Sequence, residues 1–191
     1  MINTIVFDFF GVISSEVAPF VFAEVFEPEE AKRLKEEYMQ PADRGELTER
    51  QMYENLAKLF SRTPEDMEEE YLRRAVIDRE MVAFIEALRE KYRVCLLSNA
   101  QSDYLRKVFD REDLDRLFDE KVVSGDVRMI KPSREIFELL LSRVGVTPSE
   151  AVFIDDNQKN VDGARAVGIH AILFTGKDAL ISELAALGVI I

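Results

Sequence analysis

The chain of 191 residues is 47% hydrophobic, enough apolar material for one sizeable core or for one core plus a small appended module. Its 25 Lys and Arg against 37 Asp and Glu leave a formal charge of -12, so the surface as a whole repels nucleic acid and anionic membranes. A single cysteine excludes an internal disulfide, and with no basic-then-apolar leader and no apolar run near ~18 residues a cytoplasmic protein is expected.

In chain order, the first strand is expected over NTIVFD, an apolar run that closes on one acid, Asp8. A lone carboxylate there is either a surface residue or a nucleophile, and a nucleophile requires partners at other strand ends. Residues 15 to about 90 carry no convincing strand and read as helices. EPEEAKRLKEEY is a charged helix with a solvated face. LTERQMYENLAKLF starts with Thr48 and Gln51 in capping-box spacing and presents Met52, Leu56 and Leu59 together. TPEDMEEEYLRRAV has Thr63 as N-cap and Pro64 at its first helical position, and REMVAFIEALREKY leads back toward the sheet. Phe9, Phe10, Phe20 and Phe22 are spaced to line an entrance above Asp8 or to fill a core.

From residue 92 onward strands and helices alternate: YRVCLLSN, the weaker EKVVSGD, EAVFIDD and HAILF are the strands. In KPSREIFELLLSRVGV, Ile136, Phe137, Leu140, Leu141 and Val144 line one helical face, with Ser133 placed to cap it and Gly145 to end it. NVDGARAVG is a second helix, stopping at Gly168. Continuous apolar strands suit a parallel sheet covered on both faces, so the expectation is a doubly wound, Rossmann-like α/β core of residues 1–14 and 90–191. A helical bundle, residues 15–89, is inserted after the first strand. Cys95 reads as a small buried hydrophobe and His170 as a structural or edge histidine. The apolar tail ALGVII packs either on its own sheet or on a partner, and oligomeric state is not readable.

Asp8, the Ser98-Asn99 pair, Lys131 and the Asp155-Asp156 pair all fall where such a sheet places a site, at the carboxyl ends of its strands. Each signal is weak by itself; their order and setting are not. The stretches DFFGVIS, LLSNA, IKPS and FIDDNQKNV resemble the four motifs of the haloacid dehalogenase superfamily, and the helical insert resembles its cap. The resemblance covers the whole chain and is close to the phosphatase-like branch. It implies a hydrolase that attacks a small phosphorylated metabolite through Asp8. A phosphate monoester is itself an anion, so a carboxylate nucleophile needs cations beside it, and Mg2+ suits an oxygen donor set. By the same resemblance, Asp8, Asp156 and the backbone carbonyl of Phe10 hold the ion, with Asp155 and Asn160 in supporting positions and the choice between the two aspartates open. Lys131 neutralises phosphoryl charge, while the Ser98 hydroxyl and the Asn99 backbone N–H hold the transferring group.

One position departs from the pattern. Phosphatases of this superfamily carry a second aspartate two residues after the first, which protonates the leaving alcohol and later activates water; here that residue is Phe10. Either another group moves the proton, or slow turnover of activated esters is expected. Phe10 also fits the superfamily's metal-independent 2-haloacid dehalogenases, which carry an aromatic residue there. Against that reading, two unneutralised carboxylates at 155 and 156 would repel a haloacid anion. A non-catalytic protein that binds metal and phosphate is the third reading.

Overall fold

The computed structural model describes residues 1–190. Five strands, β1 (Thr4–Phe7), β2 (Arg93–Ser98), β3 (Glu120–Val123), β4 (Ala151–Asp155) and β5 (His170–Leu173), form one parallel sheet in the order β3-β2-β1-β4-β5. All five lie in the runs where the sequence places them, and the doubly wound α/β architecture holds. Alternate side chains serve the two faces, as the period-2 geometry of a strand requires. Ile5, Phe7, Leu96 and Ile154 enter one apolar cluster, while Val6, Cys95, Leu97 and Phe153 enter the other.

Ten helices surround this sheet: α1 (Ala18–Ala23), α2 (Pro28–Asp43), α3 (Glu49–Phe60), α4 (Pro64–Arg74), α5 (Arg79–Arg89), α6 (Ser102–Glu112), the short α7 (Ser124–Val127), α8 (Arg134–Val144), α9 (Gln158–Ala166) and α10 (Lys177–Ala186). Apolar residues of α5, α6 and α10 join the Phe7 face, and those of α8 with Ala164 of α9 join the Val6 face. The buried residues of α1 to α4 belong to the same cluster as the Phe7 face, so the insert packs directly onto the core. Both threonine caps form: Thr48 pairs reciprocally with Gln51, and Thr63 with Asp66. Gly145 ends α8 in the left-handed region at φ 74°. Ser133 stands at the N-cap of α8 with an extended backbone, but its side chain makes no capping bond, contrary to expectation.

The chain leaves and rejoins the core through two hydrogen-bonded segments. Ser15 N donates to Val76 O at 2.9 Å, Asp78 N to Ile13 O at 2.9 Å, and Ser15 Oγ to Arg74 O at 2.6 Å. These bonds pin the insert beside the end of β1, above the carboxyl edge of the sheet. Of the four early phenylalanines, Phe9 and Phe22 are core, Phe20 is exposed, and Phe10 lines the cavity under the insert. Cys95 is buried and its thiol is pushed up to about 12, chiefly by desolvation, which leaves it without nucleophilic character. His170 sits exposed at the start of the edge strand β5. In the tail, Val189 is buried on this chain's own core and Ile190 is exposed; Ile191 lies outside the described residues. Among the described residues, no helix is long and apolar enough to cross a membrane.

Candidate active site

Parallel register brings the polar strand ends together. Phe7 pairs with Leu96 on one side and Ile154 on the other, so Asp8, one residue on, stands level with the end of β4. Its amide extends the ladder, donating to Ile154 O at 2.9 Å, and its Oδ1 accepts from Phe9 N at 2.7 Å. The chain then turns tightly: Ile13 N and Ser14 N both donate to Phe9 O, and Gly11 N donates to Ser14 O at 2.7 Å. Carboxylate oxygens of Asp8, Asp155 and Asp156 all lie within 4.8 Å of one another.

Lys131 is the counter-charge. Its fully buried Nζ lies 2.8 Å from Asp8 Oδ1 and 2.7 Å from Asp155 Oδ2. Burial works against the ammonium, but the two carboxylates outweigh it and its pKa is raised, so it stays charged. The loop that delivers it is held by the Asn99 side chain, whose Nδ2 donates to Lys131 O at 3.0 Å and whose Oδ1 accepts from Lys131 N at 2.8 Å. This clamp is a role for Asn99 that the sequence does not announce. The Lys131–Pro132 peptide is cis.

The two adjacent aspartates have different surroundings. Asp155, fully buried, accepts from Lys131 Nζ, from Asn160 Nδ2 at 3.0 Å on both oxygens, and from Asn157 N at 2.8 Å. Its lone pairs are spent on the protein. Asp156 makes no such bonds and lines the cavity; partial burial first, then Glu16 and Asp155, raises its carboxyl to about 6. Asp8 is likewise raised well above the usual carboxylate range by burial and by Asp155, against the pull of Lys131. Such a site is short of positive charge and offers hard oxygens, the donor chemistry a divalent cation such as Mg2+ requires. Gly11 leaves the room: at φ +78° a Cβ there would lie 2.1 Å from Asp156 Oδ2. We therefore expect Gly11→Ala to cost about 1–3 kcal/mol through left-handed strain alone, measurable by denaturant unfolding, and to displace the Asp156 carboxylate.

Ser98 is fully buried at the end of β2, and its Oγ has no hydrogen-bond partner among the described residues. An unsatisfied buried hydroxyl costs about 1–3 kcal/mol, so one kept beside a site points to a ligand. Above these groups opens a cavity of about 580 Å3, lined by Asp8, Phe10, Asn99, Lys131, Asp156 and Asn160 from the core and by residues of α2, α3 and α4 from the insert. Phe10 stacks parallel on Tyr104 of α6, ring centroids 6.0 Å apart, making one wall apolar. Tyr104, Glu16 and Asp43, all cavity-lining, escaped the sequence reading.

A sequence model described as haloacid dehalogenase-like hydrolase matches residues 2–168. The chain belongs to that hydrolase family. Among its relatives, the phosphoserine phosphatase of Thermus thermophilus is 36% identical over 102 residues, 52% of this chain and 41% of that protein. The (S)-2-haloacid dehalogenase 4A of Burkholderia cepacia is 30% identical over 81 residues, 42% of this chain and 35% of that one. The chain spans less than half the length of the curated relatives it matches first. A predicted HAD-like family hydrolase from Porphyromonas gingivalis has the same fold at TM-score 0.79 and 23% identity, covering 98% of both chains. Phosphatases and dehalogenases thus both stand among the relatives of this hydrolase.

Proposed function

We propose that this family member is a Mg2+-dependent phosphatase of small phosphomonoesters, working through an aspartyl-phosphate at Asp8. The observation that carries the reading is the cluster of three carboxylates within 4.8 Å, of which only Asp8 and Asp155 touch the single ammonium of Lys131, leaving Asp156 unneutralised. With Asp155 saturated by Lys131, Asn160 and Asn157, the residues that would hold the ion are Asp8, Asp156 and the Phe10 carbonyl. Asp155 and Asn160 orient Lys131 and each other. When bound, the ion offsets charge on nucleophile and phosphoryl group alike.

The protein's own groups do the rest. Asp8 Oδ attacks phosphorus, Lys131 screens the phosphoryl oxygens, and the Ser98 hydroxyl with the Asn99 backbone N–H holds them in place. The helices between β1 and α5 act as the cap that excludes water and contacts the leaving group. An acidic surface and a lone inert thiol fit a cytoplasmic enzyme acting on a diffusible metabolite.

The aromatic residue at position 10 favours a second reading, metal-independent displacement of halide from a 2-haloacid. The same carboxylate cluster weighs against it, because a haloacid anion would enter a site already over-supplied with negative charge. One experiment separates them. With a panel of phosphomonoesters we expect phosphate release that a chelator abolishes and Mg2+ restores, and with L-2-chloropropionate no chloride. Chloride release that survives chelation would establish the dehalogenase reading instead. No product from either panel would leave a protein that binds without turnover.

A further inference from the structure

We propose that Asp43, from the end of α2 in the cap, is the catalytic proton carrier that replaces the missing acid at Phe10. This inference rests on the phosphatase reading and deepens it. Asp43 lines the cavity that holds Asp8, Phe10 and Lys131. Although half-buried, its carboxylate has no hydrogen-bond or ion-pair partner among the described residues. Its place is set by close backbone packing: Gly45, two residues on at φ +66°, approaches the core so closely that a Cβ there would lie 2.2 Å from Gly125 O. Gly125 N in turn donates to Ala100 O at 3.2 Å, on the loop that follows Ser98 and Asn99. The end of α2 is therefore fixed to the same strand ends that carry the site.

Environment suits the role. Burial foremost, together with Glu16, pushes the Asp43 carboxyl up to about 7 against the pull of Lys35 and Lys131, so both protonation states are populated near neutrality. The groups that act on its charge are Lys35 from its own helix, Glu16 from the loop after β1, and Lys131 from the core, with Tyr71 from α4 beside it; Lys32, Glu36 and Arg44 from α2 and its end, Tyr104 from α6, and Asp8, Asp156 and Lys159 from the core line the same cavity. The cavity tyrosines are poor rivals. Tyr71 donates to Met39 Sδ and Tyr104 to Tyr71 O, and burial raises both phenols far from neutrality.

In the first half-reaction the Asp43 carboxylic acid gives its proton to the ester oxygen as the bond from that oxygen to phosphorus breaks and the Asp8 Oδ–P bond forms. In the second, the Asp43 carboxylate takes a proton from the attacking water as the new O–P bond forms and the Oδ–P bond breaks. Inorganic phosphate leaves and both side chains are restored.

The test compares Asp43→Asn, Asp43→Glu and Glu16→Gln with wild type on an alkyl phosphate and on 4-nitrophenyl phosphate, with Mg2+, across pH. For Asp43→Asn the alkyl ester should lose roughly 10²-fold in kcat/KM, within the range of general acid-base catalysis, and the limb of the pH profile near neutrality should vanish. Its loss on the nitrophenyl ester, whose leaving group needs no proton, should be far smaller, which also shows that the variant folds. Asp43→Glu should recover part of the alkyl activity. A second readout is independent of turnover. Because the folded state holds the Asp43 proton to higher pH than the unfolded chain does, wild type loses stability as pH rises from about 4 toward 7. Asp8 and Asp156, also raised, keep their share of that loss in Asp43→Asn, so the variant should lose less stability than wild type over this range and exceed it above pH 7. Equal losses on both esters, an unchanged pH limb, or the selective effect appearing in Glu16→Gln instead would overturn the assignment while leaving the phosphatase reading intact. Wild type inactive on both esters would remove the two together.

Discussion

Replacing Lys131 by methionine should lower unfolding stability by about 3–5 kcal/mol at neutral pH, the usual cost of leaving buried charges without their partner. Methionine keeps most of the volume of the side chain, so what is lost is the ammonium that bonds Asp8 at 2.8 Å and Asp155 at 2.7 Å. The penalty arises because two carboxylates remain, not because the pair outweighs an apolar substitute. The pH dependence follows from the sign of the shifts. Lys131 has a raised pKa, so the ammonium itself is lost only at high alkaline pH, and below neutrality the pairing changes through protonation of its partner Asp8. In the variant Asp8 loses the pull of Lys131 and is held still further above the usual carboxylate range, so stability falls more steeply than in wild type as pH climbs from about 4. Urea unfolding should therefore show a gap between wild type and Lys131→Met that widens from pH 5 to pH 7. A gap below about 1 kcal/mol at pH 7 would mean that solvent screens the pair as if it were on the surface.

How much of this was readable in advance depends on how local the signal is. The strands were legible because a buried parallel strand has to be apolar on both faces, and NTIVF, RVCLL and AVFI have no other comfortable place. Helix α6 escaped because charged residues of SDYLRKVFDRE dilute its buried stripe of Tyr104, Leu105, Val108 and Phe109. Helices α1 and α10 escaped for other reasons: the first is a single short segment, and the second mixes apolar residues around its whole circumference. At the site, Asp8 and the late aspartates were legible as strand-end residues, and Lys131 as the lysine of the segment after VVSGDVRMI, which the structure places in the loop between α7 and α8. The division of labour between Asp155 and Asp156 was not. Asp155 is the last residue of β4 and is enclosed by Lys131, Asn160 and Asn157, whereas Asp156 is the first residue beyond the strand and opens to the cavity. Asp43 was least visible, since an acid at the end of a charged helix looks like any solvated residue until Gly45 and Gly125 are seen to press that helix end onto the core.

Asp8→Asn should reduce phosphate release by roughly 10³-fold or more, as loss of a covalent nucleophile does elsewhere, with the fold unharmed. Asparagine has the same shape, so its carbonyl oxygen can still accept from Phe9 N, as Asp8 Oδ1 does at 2.7 Å, and Lys131 keeps Asp155 as its ionic partner. The folded state already disfavours the Asp8 charge, through burial and through Asp155. Removing it should leave thermal stability equal to wild type or higher, which separates a chemical loss from a folding loss. What asparagine cannot do is form the acyl phosphate. Intact-mass measurement of wild type quenched during turnover should show a phosphorylated species, and Asp8→Asn should show none. If the variant kept more than about a tenth of wild-type turnover, attack would have to come from water directly, because catalysis without the nucleophile is normally orders of magnitude slower. The converging strand ends would then serve binding alone.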